Sequence, residues 1–165
     1  MLRAFCELYG KADNAFRRIK YVHFVKEGEF DEIKSFRDEI EASYGIKVEL
    51  FSSDFKGEVQ RLIDENEIKV ILMGNRRTDP WSKDLTPICA SSAGWPSFTR
   101  VFPILDWNYH EVWHYLLSNH LSFCSLYNDG YTSLGEKVNT VKNPHLKIEG
   151  SVEDYLPAFK LDKDE

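Results

Sequence analysis

Residues 68–74 read IKVILMG, and residues 75–82 directly after them read NRRTDPWS. A short, almost wholly apolar run of the first kind is what a strand covered on both faces requires, and such strands belong to parallel sheets flanked by helices. Working upstream, GEVQRLIDENE (57–67) has helical spacing and IKVELF (46–51) reads as a further strand. FDEIKSFRDEIEASY (30–44) puts Phe30, Ile33, Phe36 and Ile40 on one helical face, with acidic residues early and Gly45 as its stop. Before it, YVHFV (21–25) reads as the first strand, and Leu2, Phe5, Leu8 and Tyr9 recur at helical spacing ahead of Gly10. The alternation predicts an α/β fold built on a doubly wound, mostly parallel sheet.

Downstream, residues 74–103 are rich in Gly, Pro, Ser and Thr and show no sustained period, which reads as one long loop. Loops of that length inside a domain are functional or disordered, and Trp81, Trp95, Phe98 and Phe102 argue for burial over disorder. Asp106-Trp107-Asn108 supplies cap chemistry for a helix, YHEVWHYLLSNH (109–120), in which Trp107 and Trp113 read as packing residues. The rest is turn-rich. The length predicts one domain over 1–155 and a flexible tail over 156–165.

The chain has 165 residues, 42% of them hydrophobic, and a formal charge of −6, which excludes a disordered chain and leaves no basic face for nucleic acid. Three cysteines, Cys6, Cys89 and Cys124, are odd in number and far apart, so they fit neither a disulfide framework nor a paired metal motif. Cys124 reads as a buried inert thiol. His110 and His114 lie four apart but have no third ligand nearby in sequence, which argues against zinc. Neither a secretory h-region nor 18 consecutive apolar residues occurs, so the expectation is a soluble, cytoplasmic protein with no membrane partner.

In doubly wound sheets ligands bind beyond the carboxyl ends of the strands, which directs attention to Gly74, Asn75 and the residues that follow. Arg76 and Arg77 can grip phosphate oxygens bidentately, and Asp79 can orient a guanidinium, accept a ligand hydrogen bond or hold Mg²⁺. The plainer reading of the same residues is a solvated turn whose Arg and Asp pair at the surface. Arg100 is a third candidate anion contact, or else its stem packs on Trp95; Trp95, between Gly94 and Pro96, is free to stack on a planar ring.

MGNRRTDPWS (73–82), GWPSFTRVFPILDW (94–107), YNDGYTSLG (127–135) and NTVKNPHL (139–146) together resemble the eukaryotic FAD synthase (FMN adenylyltransferase) family, with little interruption from about residue 68 to 146. The resemblance implies an adenine nucleotide alpha hydrolase-like fold, shared with phosphoadenylylsulfate reductases. It implies the reaction of ATP with FMN to give FAD and pyrophosphate, with Mg²⁺ as cofactor and no residue identified as its ligand. By position it implies Arg76, Arg77 and Asp79 as catalytic residues. It also implies Gly74, Asn75, Thr78, Trp95, Arg100, Tyr127, Gly130 and Tyr131 as substrate-binding residues, with Gly130 allowing a turn that a side chain would block.

The chain departs from the family pattern in three places. The Gly-Gly-Lys-Asp loop that would hold the ATP phosphates has no counterpart and would lie before Met1, leaving the fold N-terminally incomplete. Ser91-Ser92-Ala93 replaces an acidic residue ahead of Gly94-Trp95, and Tyr155-Leu156-Pro157-Ala158 replaces a Tyr-Arg-Pro-Ala pattern. The alternative to an FAD synthase is therefore a catalytically defective flavin-binding or regulatory module. A sulfonucleotide reductase is disfavoured because no cysteine follows Cys124.

Overall fold

The computed structural model describes residues 7, 8, 10, 18–51 and 54–162. Most of the helix expected around Leu2, Phe5 and Tyr9 lies outside them. The sequence reads as one domain, yet the chain divides into two compact units made of interleaved segments. The first takes residues up to Val25, Arg37–Met73 and Pro87–Pro103; the second takes Lys26–Phe36, Gly74–Thr86 and Ile104 onward.

In the first unit β1 (Tyr21–Phe24) and β2 (Val48–Phe51) pair in parallel, Tyr21 opposite Val48 and Phe24 opposite Phe51. Parallel strands need a crossover, and α1 (Asp31–Tyr44) supplies it, ending as the sequence predicts at Gly45 with φ +64°. The Glu41 carboxylate accepts the Val48 N–H and lies 3.5 Å from Lys47 Nζ, fixing the entry to β2. The Val48 hydrogen bond, ahead of the Lys47 charge, draws the Glu41 pKa below its ordinary value. Next comes α2 (Phe55–Asn66), whose N-cap Asp54 accepts from the Gly57 N–H at 3.0 Å and which buries Val59 and Leu62.

The apolar run at 68–74 forms β3 (Val70–Leu72), and here two expectations need correction. Residues 74–103 are not one loop, because they contain β4 (Ile88–Ala90) and β5 (Thr99–Val101). Nor is β3 covered on both faces: Val70 is 52% and Leu72 51% exposed. The reason is its position. Among the described residues the strand order is β3-β5-β4, with β3 parallel and β4 antiparallel to β5, so β3 has one neighbouring strand, and Val70 and Leu72, two apart, share the less covered of its faces. Among the described residues the strands form two sheets, of two and three strands, where the sequence predicts one; two of the three pairings are parallel.

The second unit centres on α3 (Tyr109–Ser118). Asn108 Oδ1 accepts the Glu111 N–H and Glu111 Oε2 accepts the Asn108 N–H, both at 2.8 Å, a reciprocal capping box. An Asn108→Ala variant is expected to lose about 1 kcal/mol of stability, read as a lower urea midpoint at unchanged m-value. Tyr109 and Trp113 on α3 pack with Leu146, Ala158 and Leu161, and the Tyr109 hydroxyl donates to the Ala158 carbonyl at 2.9 Å. Within the stretch expected as a tail, Ala158 is fully buried and Leu161 nearly so, covering the α3 aromatics.

Candidate functional site

The chain leaves β3 at Leu72 and enters a turn in which Asn75, Arg76, Asp79 and Ser82 bond one another. Arg76 N–H donates to Asp79 Oδ2 at 2.7 Å, and Asp79 N–H returns to the Arg76 carbonyl at 3.0 Å. Ser82, almost wholly buried, donates its N–H to the Asp79 carbonyl at 3.2 Å and accepts Asn75 Nδ2 at 3.2 Å. The motif therefore folds back on itself over Asn75–Ser82.

The two arginines, equivalent in sequence, have different duties. The Arg77 backbone N–H bonds the Leu105 carbonyl at 2.8 Å, its Nε donates to Asp106, and its Nη1 reaches the carbonyls of Lys83 at 3.1 Å and Leu85 at 2.8 Å. A guanidinium so engaged ties three stretches of chain together and keeps little for a ligand. Arg76 differs. Its Nη2 lies 3.4 Å from Asp79 Oδ1, its guanidinium carbon sits 6.0 Å from the Tyr109 ring centre, and Nη1 is buried with no hydrogen-bond partner. A buried guanidinium N–H without an acceptor is costly, so this nitrogen keeps hydrogen-bonding capacity for a further acceptor.

Asp79 turns both carboxylate oxygens to Arg76, one to its amide and one to its guanidinium, and so acts as an orienting group. Among the described residues no three His, Cys, Asp or Glu side chains gather into a metal-binding group. A Mg²⁺ ion needs only one or two carboxylates beside substrate phosphates, and Asp79 is the carboxylate of the motif that would hold it.

Tyr127 sits edge-on to Trp113, ring centres 5.4 Å apart. Burial pushes its phenol pKa up, with Cys124 adding and Arg76 opposing, so the hydroxyl stays protonated at physiological pH and can donate but not act as a base. Tyr131 packs edge-on to Phe30 at 5.6 Å, with Lys142 Nζ 5.9 Å from its ring centre. Between them Gly130, at φ +88°, has its carbonyl bonded by the Asn143 N–H at 2.8 Å. A Cβ built on Gly130 would stand 2.4 Å from the Cβ of Tyr155. At Gly74 a Cβ would meet nothing, so no close approach requires glycine there. Thr78 is exposed, and Cys124 is buried with its thiol pKa raised chiefly by desolvation.

Gly74, Asn75, Arg76, Arg77, Thr78, Asp79, Tyr127, Gly130 and Tyr131 all belong to the second unit. Trp95 and Arg100 belong to the first. Trp95 is 37% exposed and packs edge-on to Phe55 at 5.3 Å. Arg100 bonds the Ala90 carbonyl at 3.0 Å and Ser92 Oγ at 3.3 Å, and its guanidinium carbon lies over Phe102, 5.8 Å from the ring centre, where the sequence suggests Trp95. Trp81 overturns the expectation of burial: it is 97% exposed and has φ +65°.

Residues 55–142 match the family described as phosphoadenosine phosphosulfate reductase domain. The chain belongs to that family. Among its homologues, the probable FAD synthase of Caenorhabditis briggsae is 40% identical over 162 residues, 96% of this chain and 30% of the relative. The probable FAD synthase of Schizosaccharomyces pombe is 36% identical over 152 residues, 92% of this chain and 57% of the relative. The chain therefore spans less than two thirds of the curated relatives it matches. Among solved structures, Candida glabrata FMN adenylyltransferase aligns with a TM-score of 0.78 at 27% identity, covering 87% of this chain and 65% of that one. Phosphoadenylyl-sulfate reductase from Candida auris aligns at 0.57 and 18% identity over 69% of this chain and 67% of that one, a likeness of fold alone. The phosphosulfate reductase-like α/β fold expected from the sequence is thus the fold this chain has.

Proposed function

We propose that this chain is the phosphosulfate reductase-like domain of an FAD synthase, which joins ATP to FMN to give FAD and pyrophosphate. The observation that carries the reading is the match to FAD synthases along nearly the whole chain, at 40% identity over 96% of it. The Candida glabrata FMN adenylyltransferase has been solved with FMN and an ATP analogue, and with FAD and pyrophosphate, which supports the same substrates here.

In this reading an oxygen of the FMN phosphate attacks the α-phosphorus of ATP, the bond between that phosphorus and the bridging oxygen breaks, and pyrophosphate leaves with the electron pair. The FMN phosphate is already anionic at neutral pH, so no general base is needed, and the protein contributes alignment and charge neutralisation. Arg76 takes the FMN phosphate, because the resemblance assigns the ATP phosphates to a Gly-Gly-Lys-Asp loop that these residues do not contain. Asp79 aims Arg76, Arg77 holds the turn, and the protonated Tyr127 hydroxyl is a neutral donor. Gly74, Asn75, Thr78, Gly130 and Tyr131, all in the second unit, complete the proposed substrate contacts, and a reducing, cytoplasmic setting suits the free thiols of Cys89 and Cys124.

The test is to incubate the full-length protein with FMN and ATP and to separate the flavins by chromatography. FAD and pyrophosphate in equal amounts are expected. Tight FMN binding with no FAD formed under any condition would instead make it a flavin-binding module without catalysis.

A further inference from the structure

The carboxylate of Asp79 does not by itself fix the guanidinium of Arg76. Nη2 meets one oxygen of Asp79 at 3.4 Å, a long contact, and Nη1 is buried without a partner. An arginine reaches such a point on a flexible stem, and one long hydrogen bond does not set the plane of its fork. A ring stands close by: the guanidinium carbon lies over Tyr109, 6.0 Å from the ring centre. At that distance the negative face of an aromatic ring attracts a cation.

Tyr109 is held firmly. It opens α3, directly after the N-cap Asn108, and its side chain is buried. At its far end the hydroxyl donates to the carbonyl of the fully buried Ala158 at 2.9 Å. Its ring centre is 6.2 Å from that of Trp113, which meets Tyr127 at 5.4 Å. Burial raises the Tyr127 pKa and the Arg76 charge opposes that rise, so the cation lies within electrostatic reach of this phenol as well. Tyr109, Trp113 and Tyr127 thus make one aromatic cluster, which meets the cation at Tyr109 and feels its charge at Tyr127. Arg76 and all of these rings belong to the second unit.

We propose that Tyr109 is a positioning residue for FAD formation: its ring seats the Arg76 guanidinium so that Nη1 stays directed at the phosphate of FMN. The inference rests on the reading that Arg76 takes that phosphate, and it extends the machinery to a residue outside the Arg76–Pro80 motif. Tyr109 touches no substrate and acts only through Arg76. Its bond to Ala158 gives the turn Ala158–Lys160 a part in the same device, since that turn anchors the ring. A tyrosine that only filled the core could be exchanged for an apolar side chain without changing which flavin binds. A seat for a cation needs an aromatic face.

The test compares, in the full-length protein, Tyr109→Phe, which keeps the ring, with Tyr109→Leu, which keeps apolar bulk and loses the aromatic face. A third form carries a trifluorinated phenylalanine at 109, which keeps the shape of Phe but withdraws negative charge from the ring face, so the comparison stands even if Tyr109→Leu does not fold. Dissociation constants for FMN and riboflavin are measured on each, with kcat/KM for FAD formation. All three forms are expected to melt at a lower temperature than the parent, because the Ala158 carbonyl loses its donor. Tyr109→Phe is expected to keep the preference for FMN over riboflavin, and kcat/KM, within about threefold of the parent. In Tyr109→Leu the preference is expected to fall by at least about fivefold, with riboflavin affinity unchanged. The trifluorinated form is expected to fall below Tyr109→Phe in the same way, and Tyr109→Leu to add nothing in an Arg76→Ala background. A trifluorinated form that matches Tyr109→Phe, or a folded Tyr109→Leu that keeps the preference or weakens both flavins alike, would overturn the inference and leave Tyr109 to packing. A parent that binds FMN no better than riboflavin would bring down the reading of Arg76 itself, and this inference with it.

Discussion

Replacing Gly130 by alanine is expected to lower stability by roughly 3 kcal/mol, the sum of about 1 for a left-handed residue and about 2 for a clash in a packed site. For a chain of this size that is a fall in melting temperature of roughly 6–12 °C. The geometry behind the figure is specific. Gly130 has φ +88°, and its missing Cβ would lie 2.4 Å from the Cβ and 2.8 Å from the Cγ of Tyr155. The obstacle is the root of a side chain, not its flexible end, so it cannot swing away without moving backbone. Tyr155 is itself held in an isolated bridge to Lys147, and the Gly130 carbonyl is pinned by Asn143. Gly150→Ala is the matched control, since Gly150 has φ +81° but open space where its Cβ would go. It is expected to lose only the backbone share, about 1 kcal/mol. Equal losses in the two variants would mean that Tyr155 yields and that the tight approach is not what demands glycine at 130.

The second large effect falls on activity. Arg76→Ala is expected to reduce kcat/KM for FAD formation by about 100- to 1,000-fold, the usual consequence of removing a preorganised donor aimed at a reacting anion. Arg76→Lys is expected to recover little, because an ammonium cannot reproduce the planar fork. Stability separates this arginine from its neighbour. Arg76 makes one long contact to Asp79 and leaves Nη1 unpartnered, so its loss removes a buried unsatisfied donor and leaves the melting temperature unchanged or slightly higher. Arg77→Ala breaks bonds to Asp106, Lys83 and Leu85 together, and is expected to lower the melting temperature. A variant pair with those effects reversed would exchange the roles given to the two residues.

The elements that repeat were legible in the sequence. β1, α1, α2 and α3 follow from apolar spacing and from Gly45 and Asn108, whose chemistry is local. β4 and β5 were not, because Ile88-Cys89-Ala90 and Thr99-Arg100-Val101 are too short to show a period, and only pairing with each other and with β3 makes them strands. The exposure of Val70 and Leu72 was hidden for the same reason: an apolar run records what a strand could bury, not where it stands in a sheet. At the site, the motif as a unit could be read, and so could the need for glycine at 130, though not its cause, since Tyr155 arrives from far along the chain. The division of labour between Arg76 and Arg77 was illegible, because Arg77 is claimed largely by main-chain carbonyls, which no side-chain pattern announces. Trp81 was misread because an aromatic residue in sequence carries no sign of the φ it will adopt.

The central claim is that the orphaned nitrogen of Arg76 receives the phosphate of FMN, and comparing FMN with riboflavin, which differs only by that phosphate, tests it most directly. Dissociation constants for both flavins would be measured on the full-length protein and on Arg76→Ala. The parent is expected to prefer FMN by at least about tenfold, or ~1.4 kcal/mol, and the variant to bind the two alike, with its riboflavin affinity unchanged. An FMN preference that survives intact in Arg76→Ala would contradict the account.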